Sequence, residues 1–556
     1  MSLTALAMPA KPGKTLLKQP DGTEIEVYLH GDEWFHYYET TDGKVLMPGT
    51  DGVLKYALLD KSGKAVAGKV SATNPKRRAK GEIAAAAGAS VSALRPALVR
   101  QAEEARHNAN TPGAIKTVFP TKGTVRGLII LAEYQDVKFT KGTLEEYRKI
   151  ANEEGYKSEV TPGSMRDYFI TQSNGQFTPE FDVVGPVLLP NNREYYGGSS
   201  TGSERVRDMI VDATRLAHDS LKVDFTKYDS NNDDYIDFLY VIYAGQGQAQ
   251  GGPEESVWPC AMDLSNDVGS GNYEKYIGRT ACSCELFGGT DIRPENRRID
   301  GIGTFCHEFS HILGLPDIYD VLYTEMFGMG HYDIMDLAGY NNEGRTPGGY
   351  TAMDKYTVGW LQPEVLDASE KDITLGDLTE TNKAYFLVSG KDKNEYYTLE
   401  NRQPTPWDEA LPGHGLLVSH IKYVKYNWNS NTVNTTRAGF EHVQLVAADN
   451  AWTDDSEADD VYPGNGGQFT ALSADTKPAL TWRTGEQTNG QAITNIRLQD
   501  GKVIFDYTAP TTSAISDINA DTDDAHDYYT LEGVNVGKKP AAKGVYIKGG
   551  KKVVLK

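Results

Sequence analysis

The sequence has no run of about 18 apolar residues, so it predicts no transmembrane helix. Its 556 residues carry a formal net charge of −21, and this shortage of basic residues argues against nucleic-acid binding. An acidic surface of this kind favours solubility and can hold calcium. Because 556 residues exceed what one hydrophobic core usually organises, we expect three or four folded units.

Cysteine is scarce, with four residues in the whole chain: Cys260, Cys282, Cys284 and Cys306. Their spacing lacks the paired short gaps of a structural zinc site, so one or two disulfides are the expectation, with four buried thiols as the alternative. Four cysteines allow three pairings, and the sequence does not choose among them.

The first residues, MSLTALAMPAKPGK, lack a basic leader and an apolar run long enough for a complete signal peptide. We therefore expect that the natural signal peptide is absent from this sequence.

Residues 304–319 place two histidines and a glutamate at the spacing of a zinc-binding helix. His307 and His311 are four residues apart, so on a helix they lie on one face and can turn to one tetrahedral zinc. Glu308 then stands beside the open coordination position. The alternative for a motif this short is a core helix with two hydrogen-bonded histidines.

The chain after this helix predicts a third ligand. Gly314 can take the left-handed conformation that closes a helix, and Pro316 cannot continue one. Asp317 can therefore swing back towards the histidines. Since a zinc enzyme needs three protein ligands and one open position, we predict a catalytic Zn²⁺ held by His307, His311 and Asp317.

Three stretches together are similar to the immune inhibitor A family of secreted bacterial zinc metallopeptidases: HEFSHILGLPD, YDIMD and TPGGYTAMDKYTVGWL. The resemblance covers most of the chain. It implies the same three zinc ligands, with Glu308 as the general base that takes a proton from water and passes it to the leaving amine.

The stretch HYDIMDLAGY resembles the methionine turn that lies under the zinc of metzincin peptidases, with Met335 as its methionine. Metzincins often place a tyrosine nearby that stabilises the oxyanion, which makes Tyr340 and Tyr350 candidates. Core packing is the alternative for all three residues.

An acidic stretch, residues 229–245, follows part of a calcium-loop pattern. Positions 1, 3, 5, 7 and 9 of the loop are Asp229, Asn231, Asp233, Tyr235 through its carbonyl, and Asp237. Position 6 is Asp234 instead of glycine and position 12 is Tyr240 instead of glutamate, so the pattern is not a full EF-hand. We predict a structural Ca²⁺ site, with a solvated acidic turn as the alternative.

The fold class we expect is α+β. We expect a propeptide of hairpins and a helix over residues 1–115 and a metzincin-like zinc peptidase domain over 116–362, with a mixed twisted sheet and an active-site helix. A β-sandwich over 363–510 and a linker with a short β module over 511–556 complete the prediction. The propeptide role comes from the resemblance, and either the basic cluster at residues 76–78 or residues 108–113 could hold its cleavage site.

These observations predict a zinc endopeptidase that is made as a latent zymogen and cuts extracellular proteins or peptides. The resemblance places it outside a bacterial cell or on its surface, and a monomer is favoured although the sequence leaves the oligomeric state open. The rival interpretation is a surface adhesin or glycoprotein-binding protein in which the peptidase unit contributes little.

Overall fold

The computed structural model describes residues 5–109, 119–197, 205–265, 275–321, 327–435, 441–453, 456–511, 527–529, 535–537, 544–548 and 551–555. The chain forms two compact units, Met1–Ala509 and Pro510–Lys556. Most of the candidate cleavage stretch at residues 108–113 and most of the predicted linker after residue 511 lie outside the described residues.

The chain begins with a two-residue strand and then a six-stranded antiparallel sheet whose strands pair in chain order. Glycines with positive φ at positions 22, 43 and 52 form the tight hairpin turns that the Asp-Gly pairs predict. The strands are β1 (Ala5–Leu6), which belongs to another sheet, and β2 (Lys14–Lys18), β3 (Glu24–Gly31), β4 (His36–Thr40), β5 (Val45–Pro48), β6 (Leu54–Leu59) and β7 (Ala65–Ser71).

Two helices, α1 (Lys80–Gly88) and α2 (Val91–Ala109), follow this sheet and pack against it. Ala86, Leu94 and Leu98 on these helices share a core with the sheet residues Leu46 and Tyr56.

A central six-stranded sheet with helices on both faces forms the middle of the chain. Its elements in chain order are β8 (Arg126–Glu133), α3 (Leu144–Asn152), α4 (Met165–Gln172), β9 (Glu180–Leu188), α5 (Arg193–Gly197), α6 (Val206–Asp219), β10 (Tyr235–Ile236), β11 (Leu239–Gln246), β12 (Cys260–Asp263), β13 (Tyr276–Ile277), β14 (Arg279–Leu286), α7 (Gly303–Ile312) and α8 (Ala352–Thr357). The strand order is β1-β12-β14-β11-β8-β9, while β10 and β13 pair with each other.

The interior strands of this sheet are buried on both faces, which explains their continuous apolar sequence. On β8, Leu128 and Ile130 face the core shared with the N-terminal sheet, whereas Ile129 and Leu131 face the core that holds α7. Strands β14, β11, β8 and β9 are parallel, and β12 and β1 add an antiparallel edge.

Two further sheets follow and share one core. Their elements are β15 (Glu364–Val365), β16 (Glu370–Leu375), α9 (Leu378–Thr381), β17 (Tyr385–Val388), β18 (Glu395–Arg402), β19 (Gly415–Lys422), α10 (Lys425–Asn429), β20 (Val443–Leu445), β21 (Leu472–Ser473), β22 (Ala492–Gln499) and β23 (Lys502–Thr508). The five-stranded sheet β15-β17-β18-β19-β20 turns Leu399 and Val418 towards the four-stranded sheet β16-β23-β22-β21. Its other face, with Leu417 and Ile421, packs on the core that holds α7.

The second unit is a small antiparallel sheet of order β25-β24-β26-β27. Its strands are β24 (Tyr528–Tyr529), β25 (Asn535–Gly537), β26 (Gly544–Lys548) and β27 (Lys551–Leu555).

The chain is thus a mixture of helices and several sheets, in agreement with a peptidase domain accompanied by β domains. Within the described part of the chain, no helix is long and apolar enough to cross a membrane.

The disulfide prediction is wrong, because all four cysteines are buried thiols. Cys260, Cys282 and Cys284 lie in the core on one side of the central sheet, and Cys306 lies in the core on the other side. Each acts as a small buried apolar side chain.

Candidate metal centre and cleft

Helix α7 is the element that positions the candidate ligands, and all ten of its residues are buried. Phe309 packs edge-on against Phe238 and Phe169, with ring centroids 4.4 and 4.6 Å apart. The ring centroids of Phe305 and Tyr240 are 4.5 Å apart. This aromatic packing fixes the rotation of the helix about its axis.

The two histidine rings are fixed by backbone carbonyls. His307 Nδ1 lies 2.7 Å from the carbonyl oxygen of Ile334, and His311 Nδ1 lies 2.8 Å from that of Leu315. Both Nδ1 atoms can donate to these oxygens, which leaves each Nε2 with its lone pair for a metal.

The third carboxylate reaches the same point because the chain reverses after the helix. Gly314 has φ +104°, in the left-handed region, and Leu315 donates its N–H to the Ser310 carbonyl at 3.1 Å. Asp317 Oδ1 then lies 3.3 Å from His307 Nε2 and 3.2 Å from His311 Nε2, and the two Nε2 atoms are 3.1 Å apart.

These distances suit three ligands around one zinc ion, since zinc bonds of about 2.0–2.2 Å in tetrahedral directions separate the ligand atoms by little more than 3 Å. Asp317 Oδ1 is buried without a hydrogen-bond partner, so the donor set fits a cation. Among the described residues, this is the one group of three His, Cys, Asp or Glu whose ligand atoms lie within 4.8 Å of one another.

The ionisation of the ligands also suits a metal. Burial lowers the pKa of His307 and so favours the neutral ring. Burial alone would raise the pKa of Asp317, but His311 and His307 beside it bring that pKa well below its usual range.

Asn431, far downstream in sequence, holds the third ligand. Its side-chain amide donates to Asp317 Oδ2 at 2.5 Å, and its Oδ1 accepts from the Asp317 backbone N–H at 2.6 Å. Asn431 lies just after α10, and its φ of +52° is one that asparagine tolerates. Nothing in the sequence near the zinc motif points to this residue.

The predicted methionine turn lies against α7. Met335 is fully buried in the core that contains Phe309, and the preceding Ile334 supplies the carbonyl that orients His307. The turn therefore touches the candidate metal centre through its backbone.

Glu308 is buried beside the ligands, and one of its oxygens, Oε2, has no hydrogen-bond partner. Its other oxygen, Oε1, accepts the backbone N–H of Met8 at 2.9 Å. Burial raises the pKa of this carboxyl well above its ordinary value. A raised pKa suits a group that must take up and release a proton near neutral pH.

Residues 5–11, here called the cleft segment, run past this centre, where the backbone N–H of Met8 reaches Glu308. At one end, β1 pairs antiparallel with β12, with Leu6 opposite Ala261. At the other end, Ala10 donates its N–H to the Gly31 carbonyl and Lys11 donates to the Ala249 carbonyl, both at 2.8 Å. The N-terminal sheet and the central sheet therefore both hold the segment.

Three side chains donate to successive carbonyl oxygens of the cleft segment. The Tyr319 hydroxyl donates to the Ala7 oxygen at 2.6 Å, the Trp258 indole N–H to the Met8 oxygen at 3.0 Å, and the Tyr340 hydroxyl to the Pro9 oxygen at 2.7 Å. Tyr319 follows Asp317 by two residues and lies in a stretch that the sequence already singles out. Trp258 has no such signal.

The structure separates the two candidate oxyanion tyrosines. Tyr340 faces the cleft segment, and burial raises the pKa of its hydroxyl well above 10, so the hydroxyl remains a donor. Tyr350 is buried in the core and forms a short hydrogen bond with Ser310 on α7. Tyr350 thus packs behind the helix and away from the cleft segment.

The acidic loop is folded, but its carboxylates do not converge. Asp229 accepts the backbone N–H groups of Asp233 and Asp234 at 3.0 and 3.1 Å and pairs with Lys275 Nζ at 2.6 Å. Asp237 instead accepts the backbone N–H of Ser230 at 2.6 Å.

The remaining predicted calcium ligands lie at the outer side of this loop. Asn231 donates to Asp233 Oδ2 at 3.1 Å, and Tyr235 donates its backbone N–H to Asp233 Oδ1 at 3.0 Å. Asp234, at loop position 6, has φ +71° and so adopts the conformation that glycine supplies in an EF-hand.

Comparison with known proteins supports what the geometry indicates. Residues 130–364 match the family described as immune inhibitor A peptidase M6, catalytic domain. This part of the chain is similar to the catalytic domain of immune inhibitor A-type peptidases. The resemblance expected from the zinc motif is confirmed, and the matched range contains all three candidate ligands and Glu308.

Two named relatives extend this finding. The chain is 29% identical over 239 residues to immune inhibitor A of Bacillus thuringiensis subsp. alesti, which is 35% of this chain and 34% of that protein. It is 26% identical over 259 residues to the pre-pro-metalloprotease PrtV of Vibrio cholerae serotype O1 (strain M66-2), which is 40% of this chain and 27% of that protein. The chain thus spans about a third or less of the length of these relatives.

Proposed function

We propose that the chain is a zinc-dependent endopeptidase of the metzincin type that is made in a latent form. The proposal rests mainly on three ligand atoms, His307 Nε2, His311 Nε2 and Asp317 Oδ1, which lie within 3.3 Å of one another. Glu308 lies beside them in the chain. The family match over residues 130–364 supports the same activity.

The three ligands would hold the metal, and Glu308 would serve as the general base. A bound zinc ion supplies Lewis-acid activation of water and of a carbonyl oxygen. Glu308 takes a proton from the attacking water and delivers it to the leaving amine nitrogen, which is the atom type that its Oε1 contacts in the cleft segment. Asn431 keeps Asp317 in place during these steps.

Latency is the second part of the proposal, and burial supports it. His307, Glu308 and Asp317 have no exposed surface, and neither do Ala7 and Met8 above them. A protein substrate therefore cannot reach Glu308 until the cleft segment leaves. The name of one relative, pre-pro-metalloprotease PrtV, is in keeping with such a form.

We extend the proposal to three further features. Residues 1–115 act as a propeptide, the sheets of residues 363–510 act as a β-sandwich domain, and the acidic loop from Asp229 to Asp237 binds a structural Ca²⁺. The left-handed conformation at Asp234 supports the calcium loop, whereas the Lys275 ion pair with Asp229 means that calcium must displace an amino group. The substrates are proteins or peptides outside the cell, met in solution or at the bacterial surface.

The test is cleavage of casein by the full chain before and after limited proteolysis that separates about the first 115 residues. We expect activity only after trimming, loss of activity with a zinc chelator, and none from Glu308→Ala. Equal activity before trimming would contradict latency. No cleavage by the trimmed, zinc-loaded protein would contradict the peptidase assignment and favour the adhesin.

A further inference from the structure

One peptide bond of the cleft segment is held at both of its polar atoms by the candidate site. The Ala7–Met8 bond gives its N–H to Glu308 Oε1 at 2.9 Å, and its carbonyl oxygen accepts the Tyr319 hydroxyl at 2.6 Å. Glu308 adjoins His307 in the chain, and Tyr319 follows Asp317 by two residues. The bond therefore lies between the general base and a hydroxyl donor, next to the ligand set.

The rest of the segment is aligned in the way that a bound substrate would be. Upstream of the bond, Leu6 pairs in antiparallel register with Ala261 at the edge of the central sheet. Downstream, Trp258 and Tyr340 take the next two carbonyl oxygens in turn. These contacts on both sides of the bond fix the register, because the strand pairing and the side-chain donors each meet one specific backbone group of the segment.

We propose, on the basis of the proposed peptidase function, that Ala7–Met8 occupies the position of a substrate's scissile bond. In this register Tyr319 donates to the carbonyl oxygen on which negative charge develops. Trp258 and Tyr340 are substrate-positioning residues that bind the two carbonyl oxygens on the leaving side. Tyr319 thus takes the role for which the sequence offers Tyr340 and Tyr350.

The chemistry balances with water as the only co-reactant. The water oxygen forms a bond to the carbonyl carbon of the residue in the Ala7 position, and the carbon–nitrogen bond to the residue in the Met8 position breaks. Glu308 carries a proton from the water to the departing nitrogen, and the products are a carboxylate and an amine. The Tyr319 hydroxyl keeps its proton and stabilises the charged oxygen by donation.

The same register assigns a side-chain preference on either side of the bond. Ala7 is fully buried, which favours a small residue before the cut. Met8 is also fully buried. A Cβ added to Gly339 would lie 2.9 Å from the terminal methyl carbon of Met8, whereas the next nearest atom, the Gly303 carbonyl oxygen, would be 3.4 Å away. Gly339 therefore gives depth to a pocket for an unbranched apolar side chain after the cut.

The first experiment reads the register directly. A synthetic peptide of residues 3–12, LTALAMPAKP, is incubated with the proteolytically trimmed, zinc-loaded protein. The masses of the products are then measured by mass spectrometry. We expect a single cut between the alanine and the methionine. A cut at another bond, or an intact peptide in the presence of casein cleavage, would overturn the register. Failure on both substrates would overturn the proposed function and the register with it.

The second experiment assigns the donor. Tyr319→Phe removes only the hydroxyl, so kcat for this peptide should fall about 10²- to 10³-fold with little change in KM, the usual cost of losing one oxyanion donor. Tyr340→Phe should raise KM more than it lowers kcat. The matched control is Tyr426→Phe, because Tyr426 is 72% exposed. Metal content and Tm are measured for each variant. A folded, metal-loaded Tyr319→Phe protein with wild-type kcat would refute the assignment.

A third variant keeps the proposal testable if Tyr319→Phe does not fold. Gly339→Ala should lower kcat/KM for the Ala–Met peptide several-fold and leave a matched Ala–Ala peptide almost unchanged. Equal effects on the two peptides would show that Met8 does not mark the pocket after the cut.

Discussion

Two stretches of this chain carry metal-ligand patterns in the sequence, and the fold treats them differently. The helix and turn around His307 bring three ligand atoms within 3.3 Å, all of them buried. The loop around Asp229 has the correct residues at four of its side-chain positions, yet Lys275 holds one carboxylate and Ser230 another. A helix fixes the distance between ligands through its pitch, whereas a loop fixes it only when a cation draws the oxygens together.

The largest effect should come from the base beside the assembled centre. Glu308→Ala is expected to retain zinc and to lose about 10²- to 10⁴-fold or more in kcat, because the ligands are intact and only proton transfer is removed. Zinc content by atomic absorption and turnover of casein after trimming are the two measurements. Near wild-type turnover would show that another group is the base.

The next effect tests whether the assembled centre depends on a distant residue. Asn431→Ala should weaken zinc binding about 10- to 100-fold, since it removes the amide that orients Asp317. Competition with a chromogenic chelator measures the affinity. Asn429→Ala, two residues away at the end of α10, is the matched control. Equal zinc affinities in the two variants would mean that Asp317 needs no support.

A smaller effect is expected at the acidic loop. Asp229→Ala combined with Asp233→Ala should lower Tm relative to wild type in calcium but much less in chelator, because a ligand stabilises only the state that binds it. Thermal unfolding with and without calcium provides the comparison. If calcium raised Tm equally in the double variant and in the wild type, the loop would not be a calcium site.

The smallest effect concerns the amino group in that loop. Burial would raise the pKa of Asp229, but hydrogen bonds from Lys275 and the backbone bring it below its ordinary 3.8. A lowered folded-state pKa gives stability that is present above 3.8 and is lost as the pH falls through the folded value. Lys275→Met in chelator should therefore lower Tm at pH 6, and the deficit should shrink towards pH 3. If the difference in Tm between the variant and the wild type did not change with pH, the substitution would have removed a packing contact and not the charge interaction with Asp229.

The parts of the site that follow from local geometry could be predicted from the sequence. The spacing of His307 and His311, the left-handed turn at Gly314 and the return of Asp317 all depend on fewer than a dozen neighbouring residues. The hairpins at the Asp-Gly pairs and the buried strand β8 are local in the same sense.

The parts that depend on long-range pairing could not be predicted. Trp258 and Asn431 reach the site only because β12 lies next to β1 and because the five-stranded sheet shares a core with α7. β1 has only two residues and no periodicity to detect. The position of Cys306 could not be predicted for a related reason, since the sheet that separates it from the other three cysteines is visible only once the strand order is known.

The contact between Asn431 and Asp317 bears on where this protein can be divided. A fragment cut at the limits of the family match, residues 130–364, would contain both histidines, the aspartate and the glutamate, yet it would lack the amide that steadies one of them. Anyone who shortens the gene for expression, or grafts this peptidase domain onto another protein, would have to carry the downstream sheets along as part of the catalytic unit.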